Sequence, residues 1–279
     1  MTDARTVPAA LQREWAAVAV TTVVLTAGGA AALALGIEDA AVLLAAPLAA
    51  LPPAAIQWIV PATTIAGFEL WFTYRHLDAN RPDEAAGRES VYESLGAPNL
   101  VTLARGVLFA ALAGFGAVSP TPQVAWLPAL LYGAGCALDF VDGFLARRTG
   151  RTTLLGAKLD MAFDTTGFLV APVVAVLWGQ LPIWYLSLSA ARYLFKLGRG
   201  LRRRRGQPVY DLPDSVVRRP LAGLQMAFIT LALSPLLSFA LVRPLAAAVL
   251  APSLAVFVRD YLVVSGRLPR GAIYSSVCN

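Results

Sequence analysis

The sequence predicts an all-α fold, a polytopic transmembrane helix bundle. Of its 279 residues, 57% are hydrophobic and only 14% are charged, and the mean hydropathy is +0.63. These values are typical of a membrane protein and exclude an ordinary soluble domain. Apolar runs near the length of a bilayer span recur along the chain, and Lys and Arg concentrate between them.

These apolar runs predict about eight helices. We expect the spans at roughly 16–36, 41–60, 100–118, 123–142, 160–178, 181–195, 221–240 and 244–263. The stretch 41–73 is ambiguous, because it carries Pro47, Pro52, Pro53 and Pro61. It could form one broken span, or a span followed by an interfacial helix.

The organisation of the chain changes near residue 97. We expect accessory transmembrane helices in 1–75, and a polar cytoplasmic linker in 76–96 that leaves room for an interfacial amphipathic helix. The groups with chemical content lie in the predicted core, 97–265, and a C-terminal tail follows in 266–279. His76 is the only histidine, and we expect it to be a solvated loop residue.

Basic residues indicate the orientation, because Lys and Arg in short loops accumulate on the cytoplasmic side. The loops 37–40, 119–123 and 179–182 contain neither residue, whereas 192–219 contains eight arginines and Lys196. Both termini and the acidic segment described next are therefore expected in the cytoplasm. The net charge of +6 comes mostly from such loops, so it reflects topology and anionic lipid headgroups, and no nucleic-acid partner is expected.

Four carboxylates lie close together in the segment DFVDGFLARRTGRTTLLGAKLDMAFD, residues 139–164. Asp139 and Asp142 are three positions apart and Asp160 and Asp164 are four apart, so each pair lies on one face of a helix. Two such faces can converge across a short turn. Because carboxylates are costly to bury in an apolar setting, the segment predicts an oxygen-rich pocket for Mg²⁺ or Mn²⁺.

Small and basic residues accompany these aspartates. Gly143 and Ala146 lie one turn apart and leave a flat surface, which a bulky ligand or a neighbouring helix can approach. Gly156 opens the facing helix in the same way, and Arg147 adds a permanent cation that suits phosphate oxygens. A plain helix contact with snorkelling arginines is the alternative, but it does not explain four inward carboxylates.

The chain resembles the CDP-alcohol phosphatidyltransferase family in the pattern Asp139-x2-Asp142-Gly143-x2-Ala146-Arg147-x8-Gly156-x3-Asp160-x3-Asp164, which matches the family signature at every defined position. The run Gly96-Ala97-Pro98-Asn99-Leu100-Val101-Thr102 is similar to the start of that family's first core helix. The resemblance covers about residues 97–265 and implies a six-helix catalytic core. The residues before it are an addition that the family pattern does not explain.

The resemblance implies a displacement at phosphorus, in which a CDP-activated donor gives its phosphoalcohol portion to a hydroxyl acceptor and CMP leaves. It also implies two divalent ions, held mainly by Asp139, Asp142 and Asp160, that bridge the diphosphate and offset its charge. Asp164 would complete the second metal site and remove the acceptor proton as general base.

By the same resemblance, CDP would contact Pro98, Asn99, Thr102, Gly143, Ala146, Arg147, Thr153 and Gly156. Pro98 with Asn99 is also a common start of a helix, and Thr102 could bond its own helix instead. Arg105 lies in an apolar run, where a buried guanidinium needs an anionic partner, either an aspartate or a substrate phosphate.

The acceptor is less well defined. Arg218 and Arg219 precede an apolar run and are candidates to bind a phosphorylated acceptor, whereas the arginines at 202–205 fit better as a marker of the cytoplasmic side. The segment RRPLAGLQM lacks the Lys-Thr pair of related enzymes that use glycerol phosphate. Two layouts stay open: CDP-diacylglycerol, the expected donor, supplies a phosphatidyl group, or CDP-choline or CDP-ethanolamine supplies its headgroup to diacylglycerol.

Two other classes of function could use an acidic membrane pocket, a cation transporter and an inactive lipid-binding scaffold. The sequence shows no matched pair of interrupted helices, and the intact Asp160 and Asp164 disfavour a scaffold. We therefore expect an enzyme of phospholipid biosynthesis in the plasma (inner) membrane, surrounded by membrane lipids. The family resemblance also allows for a homodimer.

Overall fold

The computed structural model describes residues 7–35, 53–82, 90–212 and 215–268. These residues form eight α-helices and no β-strand, which confirms the predicted all-α bundle: α1 (Ala9–Leu35), α2 (Pro53–Arg75), α3 (Gly96–Gly114), α4 (Leu127–Thr149), α5 (Leu154–Leu177), α6 (Ser187–Arg204), α7 (Arg218–Leu233) and α8 (Phe239–Val264). By length and composition, α1, α3, α4, α5 and α8 could cross a membrane. The chain divides into two compact units, Met1–Trp178 and Gly179–Asn279.

Helix α2 lies further along the chain than the span expected at 41–60. It begins at Pro53 and continues to Arg75, with Pro61 inside it. Proline is tolerated in the first turn of a helix, where its missing N–H has no partner to lose, so Pro53 starts this helix. The earlier part of the expected span, 41–52, lies outside the described residues.

Two expected spans of the second unit also have different bounds. Helix α6 begins at Ser187 and not at residue 181, because the 3₁₀ turn Ile183–Leu186 comes first. Helix α7 ends at Leu233, whereas the sequence predicts a span to residue 240, because Pro235 cannot donate the backbone hydrogen bond of a continuing helix. Neither α6 nor α7 belongs to the five helices of membrane-spanning length and composition.

Helix α3 lies at the centre of the first unit and packs against α2, α4 and α5. The ring of Phe109 fits against two glycines, Gly135 of α4 and Gly167 of α5, where no side chain keeps the helices apart. Small residues allow membrane helices to approach closely and to gain van der Waals contact. The three helices that carry the predicted CDP and metal residues are therefore packed directly on one another.

Aromatic side chains hold the end of α3 that is remote from the aspartates. Trp58 of α2 fills the space between Gly29 of α1 and Gly114 of α3, where an added β-carbon would collide with its indole ring. Phe115 meets the rings of both Trp58 and Trp178 edge-on. The indole N–H of Trp178 donates to the Phe115 carbonyl oxygen at 2.7 Å. Helices α1, α2, α3 and α5 are thereby joined at this end.

The linker forms irregular structure that returns to the start of α3. It contains the short 3₁₀ helix Leu77–Ala79, and Pro82 forms an isolated β-bridge with Thr153. The described residues of the linker, 76–82 and 90–95, contain no amphipathic α-helix. Residues 83–89, where such a helix could also lie, are outside the described part of the chain.

Helices α6, α7 and α8 lie in the second unit, and a buried polar network joins α7, α8 and the 3₁₀ turn that precedes α6. The Gln225 amide of α7 donates to the Val249 carbonyl oxygen at 2.9 Å and to the Ser253 hydroxyl at 2.8 Å. Its side-chain oxygen accepts a hydrogen bond from the Tyr185 hydroxyl. A buried amide whose donors and acceptor are all used fixes the pairing of α7 with α8.

We expect Gly167→Ala to lower the thermal unfolding midpoint, because the added β-carbon would lie 2.7 Å from the Phe109 ring. Overpacking of this kind typically costs about 1–3 kcal/mol. The control is Gly28→Ala in α1, where no atom lies within 4 Å of the added carbon, so the midpoint should stay the same or rise. Scanning fluorimetry in detergent measures both, and a wild-type midpoint for Gly167→Ala would contradict this account of the packing.

Candidate active site

A tight turn between α4 and α5 brings the two acidic helices together. Helix α4 is followed by Gly150, whose φ of 60° lies in the left-handed region that glycine adopts without strain. Thr153 caps α5, because its hydroxyl accepts a hydrogen bond from the Gly156 amide at 2.9 Å. The end of α4 and the start of α5 therefore face each other, as the spacing of the aspartates predicts.

Four aspartates converge at this end of the first unit. Side-chain oxygens of Asp139, Asp142 and Asp160 all lie within 4.8 Å of one another. Asp142 is buried, whereas the side chain of Asp160 is 52% exposed, so the group has a closed and an open side. Asp164 lies one turn after Asp160 on α5, and it is linked to the other three aspartates by a cation that all four share.

That cation is Arg105 of α3, whose side chain is completely buried. Its guanidinium pairs with Asp139 and donates to Asp160 at 2.8 Å. The same group lies 3.4 Å from an Asp164 oxygen and 4.0 Å from an Asp142 oxygen. Of the two kinds of anionic partner that the sequence leaves open, the structure shows the aspartates. Because arginine stays protonated in proteins, one positive charge faces four carboxylates.

Thr102 connects α3 to the buried member of this group. Its hydroxyl lies 2.8 Å from Asp142 Oδ2 and 3.1 Å from the Pro98 carbonyl oxygen. A hydroxyl has a single hydrogen to donate, so it serves one of these acceptors at a time. Thr102 can therefore donate either to Asp142 in the site or to Pro98 in its own helix. The sequence allows both bonds.

Asn99 lies where the start of α3 meets the start of α5. Its amide nitrogen faces three acceptors, the Leu95 carbonyl oxygen at 3.0 Å, the Asn80 side-chain oxygen at 3.2 Å and the Thr153 hydroxyl at 3.3 Å. Its side-chain oxygen lies over Gly156, where a β-carbon would be only 2.8 Å away. Three predicted CDP contacts, Asn99, Thr153 and Gly156, therefore form one continuous surface.

The other predicted CDP contacts lie beside the aspartates on α3 and α4. The Arg147 guanidinium is exposed and folds back over Gly143, 3.3 Å from the position of a β-carbon there. Ala146 is half-buried one turn after Gly143, and Pro98 is buried in the first turn of α3. The flat surface that the small residues of α4 predict is thus covered by the side chain of Arg147.

The two arginines proposed as acceptor contacts differ in their surroundings. Arg218 Nε donates to the buried Asp260 at 2.9 Å, and Asp260 also accepts from Arg259 at 2.6 Å. Arg219 is exposed. Arg218 therefore has a carboxylate partner within its own unit, and Arg219 is the more accessible of the two.

Three residues of the amino-terminal region reach this site and were not singled out from the sequence. Glu14 of α1 accepts the Leu95 N–H at 2.7 Å, and Asn80 bonds Asn99. Glu69 of α2 is buried against α3. A glutamate in an apolar run is a visible signal, but no local pattern marks Asn80, whose side-chain partners are 14 and 19 positions away.

The donor set of the aspartate cluster fits a hard divalent cation. Mg²⁺ takes oxygen ligands at about 2.1 Å, so two ligands on opposite sides of the ion are about 4.2 Å apart. The oxygens of Asp139, Asp142 and Asp160 have a spread of up to 4.8 Å, which is close to this value. Because this cluster offers only carboxylate ligands, it favours Mg²⁺ or Mn²⁺ over softer metals.

A model of one protein family matches residues 95–258, which is more than half of the chain. The family is described as CDP-alcohol phosphatidyltransferase. The matched region contains all the aspartates of the cluster, Arg105 and the predicted CDP contacts, and it begins at the end of the linker, at residue 95.

Curated relatives match a shorter stretch. The CDP-diacylglycerol–glycerol-3-phosphate 3-phosphatidyltransferase of Escherichia coli (strain K12) is 35% identical over 96 residues, which are 34% of this chain and 50% of that protein. The protein of the same name from Yersinia enterocolitica is 36% identical over 69 residues, 24% of this chain and 37% of the relative. The match thus spans half or less of the length of these relatives. No solved structure matches the chain.

We expect Arg105→Ala to lower the unfolding midpoint in EDTA, because the carboxylates then repel one another without the buried guanidinium. Removing one partner of a buried ion pair costs about 3–5 kcal/mol. Added Mg²⁺ should raise the midpoint more in the variant than in the wild type, because Arg105 bonds the same oxygens. The midpoint is read by scanning fluorimetry in detergent.

The matched control is Arg148→Ala, which removes an exposed arginine from the same end of the bundle and should leave both midpoints unchanged. A wild-type midpoint for Arg105→Ala in EDTA would show that the guanidinium does not hold the aspartates together.

Proposed function

The chain belongs to the CDP-alcohol phosphatidyltransferase family and is a transferase enzyme, and we propose that it transfers the phosphatidyl group of CDP-diacylglycerol to a hydroxyl acceptor. The acceptor oxygen bonds to the phosphorus of the phosphatidyl group. The bond from that phosphorus to the bridging oxygen breaks, and CMP leaves with the bridging oxygen.

The observation that carries this proposal is the imbalance of charge at the aspartate cluster. Four carboxylates share one guanidinium, and the only buried carboxylate among them also accepts from Thr102. Such an excess of negative charge among apolar helices requires further cations. We assign Asp139, Asp142 and Asp160 as the main ligands of Mg²⁺ or Mn²⁺, with Asp164 completing a second site. When bound, these ions would neutralise charge on the diphosphate and on the departing CMP.

Asp164 is the proposed general base. It lies on the same face of α5 as Asp160, and its oxygen is 3.4 Å from the Arg105 guanidinium. As the acceptor oxygen attacks phosphorus, the Asp164 carboxylate takes the hydroxyl proton. Arg105 holds this carboxylate in place, so the position of the base depends on α3 as well as on α5.

We propose that CDP lies along the surface beside the aspartates. The contacts that we assign are Pro98, Asn99 and Thr102 of α3, Gly143, Ala146 and Arg147 of α4, and Thr153 and Gly156 at the start of α5. Gly143 and Gly156 leave space for the ligand, and the exposed Arg147 guanidinium can pair with phosphate oxygens after it leaves Gly143.

The names of the two relatives support CDP-diacylglycerol as donor and glycerol 3-phosphate as acceptor. The missing Lys-Thr pair in the segment RRPLAGLQM counts against this acceptor. Arg219 is the stronger candidate for an acceptor contact, because it is exposed while Arg218 is engaged by Asp260. We propose a phosphorylated polar alcohol as the acceptor class, which is compatible with both observations.

The distribution of Lys and Arg supports an orientation with the active site and both termini in the cytoplasm, and we propose that the protein lies in the inner membrane. We propose that 1–75 are accessory helices, 76–96 a linker, 97–265 the catalytic core and 266–279 a tail. A homodimer, which the family resemblance allows for, belongs to the same proposal.

We expect Asp164→Asn to reduce CMP release by at least about 100-fold, because an amide cannot accept the hydroxyl proton. The assay uses purified protein in detergent with Mg²⁺, labelled CDP-diacylglycerol and glycerol 3-phosphate or inositol phosphate. Parallel reactions supply CDP-choline or CDP-ethanolamine with diacylglycerol. The control is Asp78→Asn, an exposed aspartate of the linker, which should keep wild-type activity.

Two outcomes would overturn the proposed reaction. One is wild-type protein that releases no CMP with any of these donors and acceptors. The other is CMP release that persists in EDTA or in Asp164→Asn, which would remove the carboxylate cluster from the chemistry.

We expect Arg219→Ala to raise the KM for the phosphorylated acceptor by about three- to tenfold, the loss of one charged hydrogen bond at an exposed site. The KM for CDP-diacylglycerol should not change. Arg204→Ala, which removes another exposed arginine of the second unit, is the control. An unchanged acceptor KM in Arg219→Ala would exclude this residue as an acceptor contact.

A further inference from the structure

We propose that Asn80, in the linker, is a positioning residue of the CDP site: its hydrogen bond to Asn99 fixes how Asn99 presents its side-chain oxygen to the nucleoside part of the donor. The proposal rests on the proposed function, since it takes Asn99 as a contact of CDP. Asn80 lies outside the family match, which begins at residue 95.

The orientation of the Asn80 side chain is fixed by the main chain around it. Asn80 is completely buried, and its amide nitrogen donates to the Ser94 carbonyl oxygen at 2.8 Å. Its backbone groups bond Leu77 at 3.0 Å and Tyr92 at 2.8 Å. A carbonyl oxygen can only accept, so Asn80 must turn its NH₂ group to Ser94. Its side-chain oxygen therefore faces Asn99.

The orientation of Asn99 is set by Asn80 together with the Leu95 carbonyl oxygen. Its NH₂ group has two hydrogens, and the Asn80 oxygen and the Leu95 carbonyl oxygen are both acceptors within 3.2 Å. The Thr153 hydroxyl lies on the same side at 3.3 Å. The side-chain oxygen of Asn99 is consequently the atom left for a ligand, and it lies over Gly156, where an added β-carbon would be 2.8 Å away.

An amide oxygen and an amide NH₂ group select different parts of the donor. The oxygen accepts from N–H and O–H groups, which cytidine offers at its cytosine amino group and its ribose hydroxyls, whereas ionised phosphates have none. An inverted Asn99 would instead present donors, which suit phosphate oxygens. Asn80, acting with the Leu95 carbonyl oxygen, thus favours binding of the nucleoside and not of the diphosphate by Asn99.

The Ser94 and Leu95 carbonyl oxygens accept from Asn80 and Asn99 and so orient their side chains. Other parts of the first unit hold these two residues in place. The guanidinium of Arg151 donates to the Ser94 hydroxyl at 3.0 Å and stacks over the Tyr92 ring. Glu14 of α1 accepts the Leu95 N–H at 2.7 Å. An acidic group next to the first turn of α3 also interacts favourably with the helix dipole. The amino-terminal region therefore supplies rigid support for Asn99.

The test measures binding of CMP and of inorganic pyrophosphate to the purified full chain in detergent with Mg²⁺, by calorimetry. We expect Asn80→Ala to weaken CMP binding by about three- to tenfold, the worth of one hydrogen bond, and to leave pyrophosphate binding unchanged. Asn80→Ser keeps a polar group in the cavity but is too short to reach Asn99, so it should give the same pattern if Asn80→Ala does not fold. Asp78→Ala, on the exposed side of the same turn, is the control.

A double-variant cycle tests whether Asn80 acts through Asn99. CMP binding by the variant with both Asn80→Ala and Asn99→Ala should be no weaker than that of Asn99→Ala alone, because the second change removes what the first one positions. UMP, which lacks the cytosine amino group, and 2′-deoxy-CMP distinguish the two sources of the donated hydrogen. The nucleotide that lacks the recognised group should lose the least affinity in Asn80→Ala.

Three results would overturn the inference, and they are separable. Wild-type CMP affinity in Asn80→Ala and Asn80→Ser removes the positioning role and leaves the proposed function intact. Equal losses for CMP and pyrophosphate, or additive effects in the double variant, show that Asn80 only maintains the fold. Wild-type protein that binds no CMP removes the proposed function together with this inference.

Discussion

A single buried guanidinium organises the acidic end of the first unit. Arg105 lies in α3 and touches the carboxylates of α4 and α5, so the two helices must stay close to α3 for its charge to be compensated. The apolar part of the unit permits this approach, because Phe109 fits against glycines on both helices. Four carboxylates against one guanidinium leave an excess of negative charge, which suits the proposed divalent ions, and Arg105 reduces the repulsion among the carboxylates.

The site is not made by the family region alone. The first turn of α3 carries predicted CDP contacts, and Glu14 of α1 and Asn80 of the linker, both outside that region, bond to its start. Pro82 of the linker pairs with Thr153 at the start of α5. The contacts of Glu14 and Asn80 are hydrogen bonds to buried or half-buried atoms, where the loss of a partner is costly. The amino-terminal addition is therefore in direct contact with the residues that we propose bind CDP.

Local patterns in the sequence were sufficient to predict that each pair of aspartates lies on one helix face, because helical periodicity places positions three or four apart on the same side. The all-α bundle also followed from composition and apolar runs. Contacts between elements were not predictable in this way. The pairing of Asn80 with Asn99 depends on how an irregular linker folds back, and the start of α2 at Pro53 depends on which of several prolines takes the first turn. The sequence limits the partner of Arg105 to an aspartate or a substrate phosphate. The packing of α3 against α4 and α5 is needed to identify the aspartates as its partners.

The packing of Trp58 constrains how the amino-terminal helices could be exchanged during evolution. Its indole occupies the gap left by Gly29 and Gly114 together, so three helices share one axial register. A shift of α2 by one turn would leave that gap empty and place the ring against a bulkier neighbour. If α1 and α2 were replaced by other helices, the new α2 would need a side chain as large as Trp58 at the same position to fill this space. Exchange of whole segments is therefore constrained by one side chain.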